Sequence, residues 1–127
     1  ETVKIIGCLP QNSPVMYESV KADRIIKMES QPTLSDGTAG GIEKDALTFE
    51  ICKKYVDDYI LVSEDEIKKA IIYILKKHCM LIEGAAALSV ASFIRDKEKF
   101  ENKNVVLIIS GKKISLDRLK GILDEGK

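Results

Sequence analysis

The sequence lacks tryptophan, contains a single histidine and carries no net charge. Its 20 Lys and Arg residues balance 20 Asp and Glu residues, and the two signs are interspersed along the chain. A protein that binds nucleic acid or an anionic membrane surface through its charge shows a basic excess or stripe. Both classes of partner are therefore excluded. No apolar run approaches the roughly 18 residues that a membrane-spanning helix needs, which excludes a transmembrane protein.

Cysteine is also scarce, and its pattern excludes two further classes of protein. Cys8, Cys52 and Cys79 are an odd number of widely spaced residues without a C-x-x-C pair, and His78 is the only other soft ligand. Disulfide frameworks and zinc sites need paired or closely spaced ligands. We therefore expect three reduced thiols in a cytoplasmic protein.

Phosphate-binding motifs are missing as well. The sequence contains neither G-x-x-x-x-G-K-[ST] nor G-x-G-x-x-G between a strand and a helix. The one glycine cluster is residues 35–41, Ser-Asp-Gly-Thr-Ala-Gly-Gly, in a loop. It is interpretable as a flexible turn in which Asp-Gly supplies a positive φ. Equally, its glycines would let the backbone approach a ligand closely, and the residues alone leave both interpretations open.

Short apolar runs predict the β-strands. Residues 3–9, 59–62 and 105–109 are rich in β-branched side chains and have hardly a polar break. Such continuous runs are typical of strands that helices cover on both faces. Residues 24–28 favour a further short strand.

Helical patterns lie between these runs. Ser63 and Glu66 form a capping-box pattern, which apolar residues at three- and four-residue steps extend to about Met80. The Ala-rich residues 85–94 predict a helix that starts at Gly84 and is buried on most sides. Two further helices are predicted, at residues 46–56 and 115–123.

Strands that alternate with helices predict the α/β class, with helices on both faces of a mostly parallel, three-layer arrangement. With 45% hydrophobic residues the chain has enough apolar surface for a core. Three or four strands make a thin sheet for this class, however, and the first strand begins almost at Glu1. We therefore expect residues upstream of Glu1, and we interpret the chain as an incomplete half of a larger domain.

Two positions carry weak signals of a site. Glu83 precedes the Ala-rich helix, where its carboxylate could cap the first turn or lie buried near a cofactor. Ser110 and Gly111 follow the most apolar strand, and ligands of open α/β sheets bind beyond the carboxyl ends of the strands. A turn or cap explains Ser110 equally well. His78, in the last turn of its helix, is best explained by interaction with the helix dipole.

These signals occur in a fixed order that resembles a known family. The matching blocks are residues 5–10 (IIGCLP), 34–39 (LSDGTA), 62–67 (VSEDEI), 81–85 (LIEGA) and 105–111 (VVLIISG). Over nearly the whole chain they resemble the C-terminal part of the catalytic domain of pyridoxal-phosphate-dependent threonine dehydratases and serine racemases. The sequence of the glycine cluster also resembles that of the family branch associated with hydroxyectoine breakdown.

The resemblance implies a fold of the tryptophan-synthase β-subunit type, in which two α/β domains hold the cofactor between them. Residues 1–127 then correspond to the C-terminal portion of the large domain. The small domain, the N-terminal half, the Schiff-base lysine and the phosphate-gripping loop all lie upstream of this chain. The resemblance therefore implies that this chain holds no catalytic residue of its own.

The resemblance also assigns cofactor-binding residues. Ser110 matches a serine whose neutral hydroxyl faces the pyridine nitrogen and leaves it largely unprotonated, which suits β-elimination over transamination. Glu83 matches a glutamate close to the ring, and the backbone of Gly37 faces the rim of the cofactor. Gly111 adjoins Ser110. Gly40 stands where serine racemases carry a substrate-contacting serine, which favours a dehydratase over a racemase.

Two departures from the family pattern affect the site. Leu9 and Val15 stand where the family has the carboxylate ligands of a divalent cation, and apolar side chains cannot bind Mg²⁺ or Ca²⁺. We therefore expect no metal there. Lys112 and Lys113 replace the usual Gly-Asn, so we expect backbone strain and a reshaped loop after Gly111.

The function implied for the intact protein is the conversion of L-threonine or L-serine to a 2-oxo acid and ammonia, with pyridoxal 5'-phosphate as cofactor. This chain alone is expected to be inactive. Its expected partners are the small amino-acid substrate and either a second copy or the missing N-terminal half. The alternative is a non-catalytic small-molecule-binding or interaction module that kept the half-fold, with Lys112 and Lys113 marking lost chemistry.

Overall fold

The structure is a computed structural model that describes residues 3–125. This part of the chain contains two short strands, each followed by helices, five helices in all, and two single 3-10 turns. The elements are β1 (Ile6–Pro10), α1 (Val15–Lys21), a 3-10 turn (Asp36–Thr38), α2 (Leu47–Tyr55), β2 (Asp58–Val62), α3 (Glu64–His78), α4 (Gly84–Arg95), a second 3-10 turn (Lys97–Phe100) and α5 (Leu116–Glu125).

The sheet is parallel, as expected for the α/β class. β1 and β2 run side by side in register from the pair Ile6 and Asp58 to the pair Pro10 and Val62. Tyr59 projects from one face and its ring contacts Tyr17 of α1. Its neighbour Ile60 projects from the opposite face, because side chains alternate along a strand, and joins the core that α3 and α4 complete. Helices therefore cover both faces, which gives the three layers predicted from the sequence.

The core lies between β2, α3 and α4. α3 and α4 pack along each other, and α4 packs against both strands. The small side chains of α4 allow this close approach, since Ala86, Ala87 and Ala91 are all buried. The other buried members of the core are Ile60, Val62, Ile67, Ala70, Ile71, Ile74, Ile82, Leu88, Val90 and Ile122.

Two of the predicted helices are confirmed in detail. At the start of α3 the Glu66 amide donates to Ser63 Oγ (3.3 Å) and the Ser63 amide donates to Glu66 Oε2 (2.7 Å). This is the reciprocal capping box that the sequence predicts. α4 begins at Gly84, as expected.

Two of the predicted strands are wrong. Residues 105–109 form no strand, and Val106 and Ile108 are 83% and 68% exposed. A strand needs a neighbour to pair with, and among residues 3–125 the sheet consists of β1 and β2 alone. Ile108 is held instead by a side chain, because Ser89 Oγ donates to its carbonyl (3.0 Å). Residues 24–28 are irregular for the same reason.

Two features of the helices could not be predicted from apolar periodicity. In α2 the stripe formed by Leu47, Ile51 and Tyr55 is exposed, and Phe49 is the buried residue. α1 was not predicted at all. It is short, and Pro14 at its N-cap makes no side-chain capping hydrogen bond that would mark its start.

Cys8, Cys52 and Cys79 are free thiols. None of the helices within residues 3–125 combines the length and apolar character that crossing a membrane requires.

Candidate functional site

The site is built around Glu83, the residue that immediately precedes α4. Its amide donates to the carbonyl of Gly111 (3.2 Å), and its carboxylate Oε2 accepts from the amide of Lys113 (2.9 Å). The side chain makes no capping hydrogen bond to α4. Of the two interpretations that the sequence left open, capping is therefore wrong, and the carboxylate instead holds the loop after Ser110.

Gly111 has no space for a side chain. A Cβ at this position would lie 2.5 Å from Glu83 Cδ and would overlap both carboxylate oxygens. The carboxylate therefore occupies the volume in which any other residue would place its Cβ. Any other residue here would have to displace the end of the Glu83 side chain, so glycine is favoured by close approach rather than by an unusual φ.

Gly37 also lies close to the Glu83 carboxylate. It lies in the Asp36–Thr38 turn, and a Cβ on it would lie 3.5 Å from Ala85 Cβ and 4.0 Å from Glu83 Oε1. Three of the four residues predicted to bind the cofactor thus converge at the N-terminus of α4: Gly37, Glu83 and Gly111.

Ser110 lies beside this cluster through its peptide bond to Gly111. The residue is exposed, so its hydroxyl is accessible to a ligand. The loop that carries it is fixed directly after it, by the two hydrogen bonds to Glu83.

An ion pair connects the Asp36–Thr38 turn with α5. Arg118 Nη1 lies 2.6 Å from Asp36 Oδ2, and the guanidinium lowers the pKa of the Asp36 carboxyl. Arg118 is not among the residues that the sequence marks as candidates. No local pattern identifies it, because its partner lies 82 positions away.

Gly40 lies at the edge of an open cavity of about 390 Å³ that Gly37 also lines. Its φ is +117°, a conformation that favours glycine. Its amide donates to Ser13 Oγ (3.2 Å), and Ser13 is buried and hydrogen-bonded to the hydroxyl of Ser30 (2.6 Å). A Cβ on Gly40 would meet no atom within 4 Å, so the cavity is open at this position.

Leu9 and Val15 line the same cavity and are buried. They present only carbon atoms at the positions where the family carries its metal ligands. Within residues 3–125, no three His, Cys, Asp or Glu side chains gather into a metal-binding group. The absence of a metal from this site stays a prediction.

Lys112 and Lys113 do not have positive φ, so the expected backbone strain is wrong, while a loop reshaped relative to the family stays a prediction. The non-glycine residues of positive φ in the described part of the chain are Asp23, Asp45, Cys79 and Asn102. The loop after Gly111 therefore needs no left-handed residue. It is held by the hydrogen bond from the Lys113 amide to Glu83.

This combination of groups fits the pyridine side of pyridoxal phosphate. Ser110 offers an accessible neutral hydroxyl, which can pair with a ring nitrogen. Gly37 and Gly111 offer backbone without side chains, so a flat ring can approach closely. Glu83 accepts a hydrogen bond from the Lys113 amide and donates one to the Gly111 carbonyl, and is thereby fixed in position.

Comparisons with known proteins show the family of this chain. Residues 1–111 match the family described as pyridoxal-phosphate dependent enzymes. The chain is 39% identical to the L-threonine ammonia-lyase of Thermotoga maritima over 124 residues, which is 98% of this chain and 30% of that protein.

Solved structures give the same result. The processed form of threonine deaminase isoform 2 from Solanum lycopersicum superposes with a TM-score of 0.87 at 27% identity, over 96% of this chain and 36% of that one. Serine racemase from Dictyostelium discoideum gives a TM-score of 0.78 at 32% identity, over 90% and 36%. The chain thus spans about a third of the length of each of these relatives. On the sequence match and the shared fold together, the chain belongs to the family of pyridoxal-phosphate-dependent enzymes.

Proposed function

We propose that residues 1–127 are the C-terminal portion of the large domain of a lyase that converts L-threonine or L-serine to a 2-oxo acid and ammonia. The observation that carries the proposal is the convergence of Gly37, Glu83 and Gly111 beside the accessible hydroxyl of Ser110. The relative in Thermotoga maritima, named as a threonine ammonia-lyase, supports the choice of reaction.

The residues of this chain act by binding and orienting. When bound, pyridoxal phosphate supplies an electron sink for the bonds to the substrate Cα. Ser110 would face the ring nitrogen as a neutral partner, which keeps that nitrogen largely unprotonated. Gly37 and Gly111 would provide the backbone surfaces beside the ring, and Glu83 fixes the loop that carries Ser110. The group that moves the substrate proton lies outside this chain in the proposal.

The substrate is proposed to lie toward Gly40 and the cavity beside it. A glycine there offers no hydroxyl to contact or protonate a substrate, which supports elimination rather than racemisation. The intact protein is proposed to act in the cytoplasm, in agreement with its three free thiols. It would act as an oligomer or with its N-terminal half in place. The link with hydroxyectoine breakdown stays a prediction.

The test is an assay of the intact protein that contains this chain. Purified with pyridoxal phosphate, it should release 2-oxo acid from L-threonine and L-serine. Ser110→Ala should lower kcat by about tenfold or more, the effect of losing one good hydrogen bond at the reacting group. Asn104→Ala, at an exposed residue in the segment before Ser110, is the control and should leave kcat unchanged.

The same assay decides between the enzyme and the non-catalytic module. If the intact protein binds pyridoxal phosphate but turns over neither amino acid, the lyase assignment is wrong. If it binds no cofactor at all, the module interpretation takes its place. The chain of residues 1–127 alone should show no turnover in either case.

A further inference from the structure

We propose that Glu64 is a positioning residue for the cofactor site, because it sets the distance between the Gly37 turn and Glu83. This inference rests on the proposed function for its readout. Glu64 lies in the first turn of α3 and touches no part of the candidate site directly. Its effect is transmitted through the backbone of Leu34 and Ser35.

The first step is the contact between α3 and the segment before the glycine cluster. Glu64 Oε2 accepts a hydrogen bond from the amide of Leu34 (2.7 Å), 30 positions earlier in the chain. The other oxygen, Oε1, is buried and has no hydrogen-bond partner within the described part of the chain. Leaving a buried carboxylate oxygen unpaired is costly. Lys68 interacts with this carboxylate electrostatically, and the hydrogen bond from Leu34 is the contact that holds it toward the loop.

The second step is the contact between Leu34 and the start of α4. A Cβ on Gly84 would overlap the carbonyl of Leu34 and lie 2.9 Å from the amide of Ser35. The two backbones are therefore in direct contact, with no side chain between them. Gly84 follows Glu83 directly. The position of Leu34 therefore determines how closely residues 34–38 approach the Glu83 carboxylate.

The third step carries this position to Gly37. Ser35 is buried, its hydroxyl is hydrogen-bonded to that of Thr38 (2.6 Å), and its carbonyl accepts from the Thr38 amide (3.0 Å). These bonds close the Asp36–Thr38 turn directly after Leu34. Gly37 then meets Ala85 one residue beyond Gly84, so the turn and α4 are aligned at two adjacent points.

α3 is a suitable anchor for this alignment. Its capping box fixes the first turn, and Ile67, Ala70 and Ile71 bury its inner face. A carboxylate on such a helix holds the loop against the core, whereas hydrogen bonds within the loop could not. Binding sites are accurate when rigid elements position their ligand-contacting groups in this way.

The experiment uses the intact protein with four substitutions. Glu64→Ala removes the acceptor, and Glu64→Asp keeps the charge but is too short to reach the Leu34 amide. Glu64→Gln keeps an acceptor of the same length. Asp65→Ala, at the neighbouring exposed carboxylate, is the matched control. For each variant, the dissociation constant of pyridoxal phosphate and the unfolding midpoint are measured.

The alanine and aspartate variants should bind pyridoxal phosphate about tenfold more weakly, which corresponds to losing a hydrogen bond to a charged group. The glutamine variant should remain within about threefold of the original protein, and the control should not change. A purely structural role predicts lower unfolding midpoints with unchanged cofactor affinity. That result, or a glutamine variant as weak as the alanine variant, would overturn the inference.

A second measurement separates this inference from the proposed function. Without cofactor, hydrogen exchange at the amides of residues 34–38 should be faster in Glu64→Asp than in the original protein, and unchanged in Asp65→Ala. Unchanged exchange in Glu64→Asp overturns the inference even if the protein is a lyase. If the original protein binds no pyridoxal phosphate, the proposed function fails, while faster exchange still supports the role of Glu64 in holding the loop.

Discussion

Gly111 is a position where a single methyl group should disturb the site. In Gly111→Ala, the new Cβ would occupy the space of the Glu83 carboxylate. The carboxylate is the end of a flexible, partly exposed side chain and can move aside, so the expected cost is about 1 kcal/mol of unfolding free energy for its hydrogen bond to the Lys113 amide. Moving it should also weaken cofactor binding. Urea denaturation of the intact protein measures the first effect. Gly41→Ala is the control, because a Cβ there meets no atom within 4 Å.

A double-mutant cycle identifies the cause of that loss. Glu83→Ala removes the group with which the new methyl collides, so adding Gly111→Ala to it should cost little further stability. Neighbouring residues that share an interaction are expected to be non-additive in this way. Additive losses would mean that Gly111 is needed for some other reason than its approach to Glu83.

Asp36 and Arg118 give a pH-dependent link across the site. Arg118 lowers the pKa of the Asp36 carboxyl in the folded protein. The pair therefore stabilises the fold at pH values above the ordinary pKa of aspartate. That contribution is lost as the pH falls through the lowered value. Arg118→Ala should return the pKa of Asp36 toward 3.8, which a carboxyl-carbon NMR titration measures. An unchanged pKa would show that the two side chains do not pair in solution.

At the residue scale, the sequence identified the members of the site but not their arrangement. The residues alone marked Gly37, Glu83 and Gly111 as separate weak candidates. Only the family resemblance joined them into one site, since no spacing along the chain connects a loop glycine with a residue before α4. Glu64 and Arg118 were missed altogether. Both act on partners far away in sequence, and each is an ordinary charged residue at the start of a helix.

Among the elements, α3 is the most secure because its start is encoded locally. Ser63→Ala should lower the unfolding free energy by about 1 kcal/mol, the usual cost of losing an N-cap side chain. Ser63→Thr keeps the hydroxyl and should recover most of that loss. Urea denaturation measures both. An equal loss in the two variants would show that the hydroxyl does not cap the helix.

α3 and α4 were predicted correctly because each carries its own local signal. The capping box lies at the start of α3, and the buried Ala-rich face lies within α4. The strand expected at residues 105–109 depends on a pairing partner, which local pattern cannot supply. The exposure of the apolar stripe on α2 could not be predicted for a related reason, because periodicity shows that a helix has an apolar stripe but not what covers it.

The outer edge of β2 is partly closed by side chains. On the outer side of β2, the side chains of Gln11 and Arg95 both donate to the carbonyl of Leu61. Charged and polar side chains that bond to an edge strand discourage further pairing there. The Leu61 carbonyl is therefore already bonded to side chains.

On the scale of the whole molecule, the absence of net charge has a counterpart in the proposed chemistry. A small zwitterionic amino acid needs no large field of one sign to attract it. The site is instead built from hydrogen bonds between segments that are distant in sequence: the Gly37 turn, the start of α4 and the loop after Ser110. The proposal that residues outside this chain complete the site agrees with the extent of the match, which covers about a third of each relative.

The most direct test of the account is to locate the lysine that holds the cofactor. The intact protein is loaded with pyridoxal phosphate and reduced with borohydride, which fixes the cofactor to that lysine, and the labelled peptide is identified by mass spectrometry. The account predicts a single pyridoxyl label on a lysine outside residues 1–127. A label on a lysine of this chain, such as Lys112 or Lys113, or no label at all, would contradict it.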